Sequence, residues 1–335
     1  GMIGHILQQT GGDPTVINGG IMLNAAVPPL LGNAICGGSD LVVIEADESD
    51  GTIVLYDPSV AVLTNISVDH KPMEELLGLF EPFCARARNS AVVNLDCEAT
   101  STILSSMTKS VTFSVENSNA DVSAQGIKLT PGGVKFQANG VLVRMQVPGR
   151  HNVSNAVAAI CTCQAAGVPL NESAEALSGF KGIERRLQVI GQTGGVTVID
   201  DFAHNPDKIA ATLATLKAVA GRLLVMFQPH GFGPTRFLKD GLIAEFAGGL
   251  GQEDLLAMPE IYFAGGTAQK DISSRDLVNE ISSLGRNAIF MQEREGIARR
   301  FVKEAREGDR VVIMGARDDT LTSFAEGILA GIRDR

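Results

Sequence analysis

Short apolar runs alternate with helical spacing along the first part of the chain. Residues 41–44, 59–64 and 91–95 form compact apolar runs that predict buried strands, and residues 73–87 carry the spacing of a helix. Buried strands separated by helices are typical of a parallel sheet covered on both faces. We therefore predict an α/β protein with a central, mostly parallel sheet.

The pattern changes to near-alternation of apolar and polar residues between about 110 and 147. Pro131-Gly132-Gly133 and Asn139-Gly140 interrupt this alternation with turn signals. This predicts antiparallel hairpins attached to the sheet. Pro148-Gly149 then marks the expected boundary between a central domain, residues 1–147, and a C-terminal domain, residues 148–335.

Strand and helix patterns alternate again in the second half. A helix of small residues is predicted from Asn152, and a second helix over residues 206–219. Short apolar runs predict strands at residues 188–190, 196–199, 223–227, 261–263 and 311–314. This order is typical of a Rossmann-like, open α/β domain.

Composition narrows the function classes. The 335 residues include 28 Lys and Arg against 38 Asp and Glu, a net charge of −10, which disfavours a general binder of nucleic acid or of an anionic membrane. Five scattered cysteines provide neither a disulfide framework nor a zinc pair, and a reducing, cytoplasmic compartment fits them best. No apolar run approaches the ~18 residues of a membrane span.

Two polar clusters follow predicted strands of the first half. Glu45 and Glu48 belong to an acidic run after the first strand, where carboxylate oxygens suit Mg²⁺ beside a nucleotide phosphate. A solvated acidic loop is the alternative interpretation. Asp69-His70 follows the next strand, and His70 is a candidate ligand of a second cation unless the pair only caps a helix.

Two further clusters flank the predicted small-residue helix. Asn152 and Asn155 lie three residues apart at its start, so their amides can face one way and contact an adenine edge, or else cap the helix. Arg185 and Arg186 offer two guanidinium groups that suit a phosphate, with a surface ion pair as the alternative.

The remaining histidine clusters follow strands of the second half. His204 lies in the run Asp200–Pro206, and His230 lies in a loop rich in proline and glycine that continues to Arg236. Open α/β sheets bind their ligands at the carboxyl ends of strands, so both loops are candidates for a substrate site.

Taken together and in this order, these segments resemble the Mur ligase family, the ATP-dependent amino-acid ligases of peptidoglycan precursor synthesis. The resemblance rests on Pro14–Gly20, Glu45–Asp50, Thr64–Ile66 with Asp69-His70, Pro148–Asn152 with Asn155, Arg185-Arg186, Asp200–Pro206 and Phe227–His230. It implies that ATP phosphorylates a carboxylate of a UDP-linked sugar and that the amine of an amino acid attacks the acyl phosphate. In such a reaction the protein mainly positions the reactants and neutralises charge.

The resemblance also implies roles for individual residues, each by its match to a family motif. Glu45, Glu48 and His70 are implied as Mg²⁺ ligands, His151, Asn152 and Asn155 as contacts of the adenine nucleotide, Arg186 as the arginine near the γ-phosphate, Asp201 as the acid near the ribose, and His204 and His230 as residues facing the amino-acid site.

Three departures from the family pattern bear on function. The family carries a glycine-rich P-loop and a UDP-binding domain before a helix that resembles residues 2–7, whereas only Gly1 precedes that helix here, so we expect an incomplete form. The segment after His70 is shorter than in the L-alanine-adding members. Gly231 stands where those members carry an arginine that can pair with the amino acid's carboxylate, and Arg236 is a possible substitute.

The resulting expectation is a bacterial, cytoplasmic ligase that uses ATP and Mg²⁺ to join an amino acid, L-alanine first, to UDP-N-acetylmuramate. A ligase that adds a murein tripeptide to the same sugar nucleotide is the main alternative. A nucleotide-binding module without ligase activity and a ligase acting on folate or cyanophycin are further alternatives. We expect neither a nucleic-acid nor a membrane partner, and the sequence does not indicate the oligomeric state.

Overall fold

The computed structural model describes residues 1–27, 30–67, 71–130, 133–263, 265, 267 and 269–335. They form two compact units, Gly1–Glu184 and Arg185–Arg335. The boundary predicted at Pro148 therefore falls inside the first unit.

A small sheet opens the first unit. After helix α1 (Met2–Gln9) come strands β1 (Thr15–Ile17), β2 (Ala34–Ile35) and β3 (Val42–Ile44). Their order is β2-β1-β3, with β1 and β3 parallel and β2 antiparallel to β1. The predicted strand at residues 41–44 is present but not buried, because β3 lies at the edge of this sheet and Val42 remains 58% exposed.

The larger sheet of the first unit combines a parallel part with an antiparallel extension. Its strands, in spatial order, are β4 (Val60–Leu63), β5 (Ser90–Asn94), β6 (Ser110–Ser114), β7 (Val122–Thr130), β8 (Gly133–Ala138) and β9 (Val141–Met145). β4 to β7 run parallel, whereas β7, β8 and β9 pair as antiparallel hairpins. Asn139 and Gly140 both have positive φ in the turn between β8 and β9, which confirms that turn signal.

Helices cover this sheet. They are α2 (Met73–Ala85), α3 (Glu98–Thr102), α4 (Arg150–Ala165) and α5 (Leu170–Leu177). Val153, Val157 and Ile160 of α4 are fully buried in the same core as Phe113 and Phe136 of the sheet. Helix α4 therefore belongs to the first unit, which is why the units divide after Glu184 and not at Pro148.

The second unit is an open α/β sheet. Its strands are β10 (Gln188–Thr193), β11 (Val196–Asp201), β12 (Leu223–Gln228), β13 (Leu255–Met258), β14 (Ala288–Phe290) and β15 (Arg310–Gly315), in the order β10-β11-β15-β12-β13-β14. All are parallel except β10, which is antiparallel to β11. The helices are α6 (Pro206–Lys217), α7 (Phe232–Gly249), α8 (Ser274–Ser283), α9 (Arg294–Glu304) and α10 (Leu321–Arg333).

One predicted strand of this unit is wrong. Residues 261–263 form no strand, and Tyr262 makes only an isolated bridge to His230. The strand of this segment is instead β13, which lies between β12 and β14 and whose four residues are all buried. Pro259 follows β13 closely and cannot donate a ladder hydrogen bond, so the second apolar run crosses the sheet edge as a loop.

Two further features concern the cysteines and the length of the helices. All five cysteines are free, and Cys161 and Cys163 are buried in α4, where burial raises the pKa of each thiol to about 12. No helix in the described part of the chain combines the length and the apolar character that crossing a membrane requires.

Candidate functional site

The acidic run after β3 lies beside the loop after β1. Because Ile17 and Ile44 are partners in the parallel pair, Gly19 and Glu45 emerge at the same edge. The Gly19 N–H donates a 2.7 Å hydrogen bond to Oε2 of Glu45. A Cβ at residue 19 would lie 3.2 Å from that oxygen, so glycine allows the backbone to approach the carboxylate.

Other carboxylates of this run shape their own loop. Oδ1 of Asp47 accepts a hydrogen bond from the Ser49 N–H, and Oδ1 of Asp50 accepts one from the Thr52 N–H, which with the Thr52 hydroxyl holds the pKa of Asp50 below its ordinary value. These contacts favour the local-loop interpretation for both aspartates. They leave Glu45 and Glu48 as the candidates for a cation.

The donor set fits magnesium when phosphates supply the rest. Mg²⁺ is usually held by one or two carboxylates, with substrate phosphates and water completing its shell, and Glu45 and Glu48 offer that number. Within the described residues no three His, Cys, Asp or Glu side chains gather as a metal site. His70, the third predicted ligand, lies outside the described residues.

The two asparagines predicted to contact adenine, Asn152 and Asn155, differ in burial at the start of α4. Asn152 is buried and its Nδ2 donates a 2.7 Å hydrogen bond to the Pro148 carbonyl, which fixes the turn that enters the helix. Asn155 is exposed, and its Nδ2 donates a long, 3.5 Å hydrogen bond to Oδ1 of Asn152. His151 is half-buried on the same turn. The arrangement leaves Asn155 accessible to a ligand, with Asn152 behind it.

Three parallel strands of the second unit end beside one another. β15 lies between β11 and β12, with Met314 opposite Asp201 and Gly315 opposite Gln228. The loops after these strands carry His204 and His230, whose ring centroids lie 5.6 Å apart. The structure thus brings the two predicted histidines together, because β11 and β12 flank β15 and all three strands end at the same edge of the sheet.

The two neighbouring arginines are not equivalent. Arg185 is buried, and its guanidinium pairs with Asp200 at 3.3 Å and donates to the carbonyl of Gly315. Arg186 is exposed, with its guanidinium carbon 5.2 Å from the centre of the Phe202 ring. Only Arg186 is therefore available to a phosphate, and the idea that both guanidinium groups meet one is wrong.

Backbone strain accompanies the exposed arginine. Arg185 and Leu187, on either side of Arg186, have φ of +56° and +49°, in the left-handed region that side chains rarely adopt. Such strain persists where surrounding contacts fix the backbone, and it is concentrated at functional sites.

Asp201 supplies one of those contacts. Its Oδ2 accepts from the Leu187 N–H at 2.8 Å and its Oδ1 accepts from the Ala203 N–H at 2.7 Å. Burial raises the pKa of Asp201 to about 6, although both hydrogen bonds and the charge of Arg186 oppose that rise. With 4% of the residue exposed, Asp201 offers little surface to a ribose and instead joins the segments that carry Arg186 and His204.

The histidines differ in their fixed contacts. Nδ1 of His204 lies 2.9 Å from the carbonyl of Phe202, a geometry in which this nitrogen carries the proton and donates it. Burial lowers the pKa of His230, and the charge of Arg317 lowers it further. His230 is accordingly neutral at pH 7.

Arg317 was missed by sequence reasoning. It follows β15 at the same sheet edge as both histidines, and only the strand order places it there. The sequence does carry a signal for it, because residues 311–314 are predicted as a strand and open α/β sheets bind ligands beyond the carboxyl ends of their strands.

Both units of the chain match known protein families. Residues 1–163 match the family described as Mur ligase middle domain, and residues 185–317 match the Mur ligase, glutamate ligase domain. The chain is 34% identical to the UDP-N-acetylmuramate–L-alanine ligase of Pelotomaculum thermopropionicum, across 95% of this chain and 70% of that protein. It is 35% identical to the enzyme of the same name from a Jannaschia species, across 99% of this chain and 71% of that protein.

A solved structure has the same fold. The UDP-N-acetylmuramate-alanine ligase of Thermotoga maritima aligns with a TM-score of 0.77 and 26% identity, over 99% of this chain and 72% of that one.

Proposed function

Because the chain belongs to the Mur ligase family, we propose that it works as an ATP-dependent ligase that joins L-alanine to a carboxylate of UDP-N-acetylmuramate in the bacterial cytoplasm. The observation that carries this proposal is the 34% identity to an L-alanine ligase over nearly the whole chain. The histidine pair and Arg186 at one sheet edge supply groups that the reaction needs.

The reaction has two steps. A carboxylate oxygen of the sugar nucleotide attacks the γ-phosphorus of ATP, and ADP leaves. The amine of L-alanine then attacks the carbonyl carbon of the acyl phosphate, a C–N bond forms, and the C–O bond to phosphate breaks. The amine must also lose a proton before or during its attack.

The residues of the second unit serve these steps by charge and by proton transfer. Arg186 neutralises the transferred phosphoryl group, which carries most of the negative charge in the transition state. His230, neutral at pH 7, accepts the proton of the amine. The ring of His204 lies beside it, with the two ring centroids 5.6 Å apart.

The residues of the first unit serve the nucleotide. Asn155 contacts the adenine edge, with Asn152 and His151 on the same turn, and Glu45 and Glu48 would hold Mg²⁺ together with His70. When bound, the ion would neutralise phosphate charge and orient the γ-phosphate.

The test is ADP release by the protein expressed from its complete reading frame. We expect release that depends on UDP-N-acetylmuramate and L-alanine together, with a UDP-N-acetylmuramoyl-alanine product confirmed by mass spectrometry. No release with any amino acid or peptide, despite measurable ATP binding, would favour a nucleotide-binding module and reject the ligase.

Gly231 favours a second candidate, a ligase for a murein tripeptide. The family resemblance places an arginine of the L-alanine-adding members at this position, and glycine removes that group from the loop. The same assay decides, because a tripeptide ligase would show a higher kcat/KM for the tripeptide than for L-alanine.

A further inference from the structure

The loop after β12 cannot present a cation at residue 231. Gly231 has φ of +69° and ψ of 128°, a combination that essentially only glycine adopts. A Cβ there would also lie 3.2 Å from Cδ of Pro234. An arginine at this position would therefore require a different loop, and the carboxylate of an amino acid needs another partner.

The loop predicted to continue to Arg236 ends at Gly231, because α7 begins at Phe232. Arg236 lies on that helix and is already engaged. Its guanidinium pairs with Asp271, and Nη2 also donates to the Gln269 carbonyl at 3.3 Å. The hydrogen bond from Arg236 holds the pKa of Asp271 below its ordinary value. The positive charge of Arg236 is thus balanced by an acid of its own unit.

The strand register places Arg317 beside both histidines. Gly315 is opposite Gln228, so Arg317 and His230 each lie two residues beyond a paired position on adjacent strands. On the other side of β15, Met314 is opposite Asp201, and Arg317 and His204 each lie three residues beyond. The guanidinium therefore originates between the two loops that carry the histidines.

The segment that carries Arg317 is fixed on both sides. Arg185 donates to the carbonyls of Gly315 and Asp318, at 2.8 and 3.4 Å, and Nη1 of Arg294 pairs with Asp318 at 2.8 Å. Arg317 itself has φ of +64°, a left-handed conformation that is rare for side-chain-bearing residues. In the part of the chain that the structure describes, it is exposed and makes no hydrogen bond or ion pair.

We propose that Arg317 binds the carboxylate of the incoming amino acid and so places the amine beside the histidine pair. The proposal rests on the proposed ligase function and adds its specificity-determining cation. A guanidinium matches a carboxylate with two parallel hydrogen bonds, which fixes orientation as well as position. The amine sits on the same carbon as the carboxylate, so holding one group positions the other for attack.

The test compares Arg317→Gln with the unmodified protein on two nucleophiles, L-alanine and L-alaninamide, which lacks the carboxylate. We expect Arg317→Gln to raise the KM for L-alanine about 10- to 100-fold, the range expected for losing a charge-assisted hydrogen bond, with a smaller change in kcat. The KM for L-alaninamide should be the same in both proteins. Arg317→Lys should recover part of the loss because it retains the charge.

Two controls define the result. Arg317→Gly suits the left-handed backbone, so it should fold normally and lose L-alanine binding as Arg317→Gln does. Arg236→Gln removes a neighbouring exposed arginine and should leave both KM values unchanged. Equal losses for L-alanine and L-alaninamide, or a raised KM for ATP with the preference for L-alanine intact, would assign Arg317 to phosphate and overturn the proposal.

A readout without turnover separates this proposal from the proposed function. Adding L-alanine should shift the NMR signals of the His230 ring in the unmodified protein but not in Arg317→Gln, whether or not ADP is released. Absence of turnover with that shift present would reject the ligase alone. Identical shifts in both proteins would reject the role of Arg317.

Discussion

At the scale of single residues, the buried carboxyl group of Asp201 makes the stability of the folded protein depend on pH. Its folded pKa of about 6 lies above the ordinary value of 3.8, so the folded protein holds this proton more tightly than the unfolded chain does. The stability that the proton contributes is fully present below pH 3.8 and is lost as the pH rises through 6. Asparagine does not titrate, and Asp201→Asn therefore serves as the reference.

We expect the stability of the unmodified protein relative to Asp201→Asn to fall by about 2 kcal/mol between pH 4.5 and pH 7.5. Urea unfolding of both proteins at the two pH values measures this difference, and titration of other groups cancels in the comparison. A constant difference would mean that folding leaves the pKa of Asp201 at its ordinary value, and a rising difference would mean that folding lowers it.

The adjacent arginines give opposite predictions. Arg186→Ala removes an exposed guanidinium and should lower kcat about 100-fold or more with little change in melting temperature. Arg185→Ala leaves Asp200 buried without its ion pair and should reduce the free energy of unfolding by about 3–5 kcal/mol. Steady-state kinetics and thermal unfolding of both variants distinguish the two roles. A stable Arg185→Ala protein would contradict the assignment.

At the scale of elements, we expect the two asparagines at the start of α4 to have different roles, one in stability and the other in binding the nucleotide. Asn152→Ala removes a buried hydrogen bond to Pro148 and should lower the free energy of unfolding by about 1–3 kcal/mol. Asn155→Ala changes an exposed side chain and should weaken ADP binding while leaving stability unchanged. Calorimetric titration and thermal unfolding test the pair, with Ser154→Ala as the control on the same turn. Unaltered ADP affinity in Asn155→Ala would remove it from the adenine site.

The hydrophobic pattern predicts a strand correctly where neighbouring strands and helices cover that strand in the usual way. The runs at residues 59–64 and 91–95 became β4 and β5, because both faces of those strands are covered. Residues 255–258 and 261–263 look alike as apolar runs, and only the sheet decides that the first is the strand. The hydrophobic pattern reports which residues are buried. Both runs include buried residues, so the pattern cannot tell the strand from the loop.

Site prediction has a similar limit. The sequence identifies residues next to strand ends, such as His204 and His230, but the strand order alone brings these two together. Arg185 is buried and Arg186 is exposed, and this difference depends on which guanidinium group points into the protein. Two identical neighbouring residues give no sequence signal for it. Arg317 required the order β11-β15-β12, which brings together residues between 87 and 113 positions apart.

At the scale of the whole molecule, the division into units makes a prediction about fragments. The second unit has its own core on both faces of its sheet, including Phe246 and Phe301, and the Arg185 guanidinium is buried within it. A fragment of residues 183–335 should therefore fold cooperatively. A fragment of residues 187–335 should be less stable by about 3–5 kcal/mol, because it lacks the partner of buried Asp200.

The fragment that the sequence pattern suggests, residues 148–335, provides the contrast. It carries α4 without the sheet against which Val153, Val157 and Ile160 pack, so these side chains would be exposed to water and would promote association. Urea unfolding and analytical ultracentrifugation of the three fragments measure stability and association together. We expect the 183–335 fragment to be monomeric at concentrations where 148–335 aggregates. A monomeric 148–335 fragment with higher stability than 183–335 would place α4 with the second unit and overturn the division at Glu184.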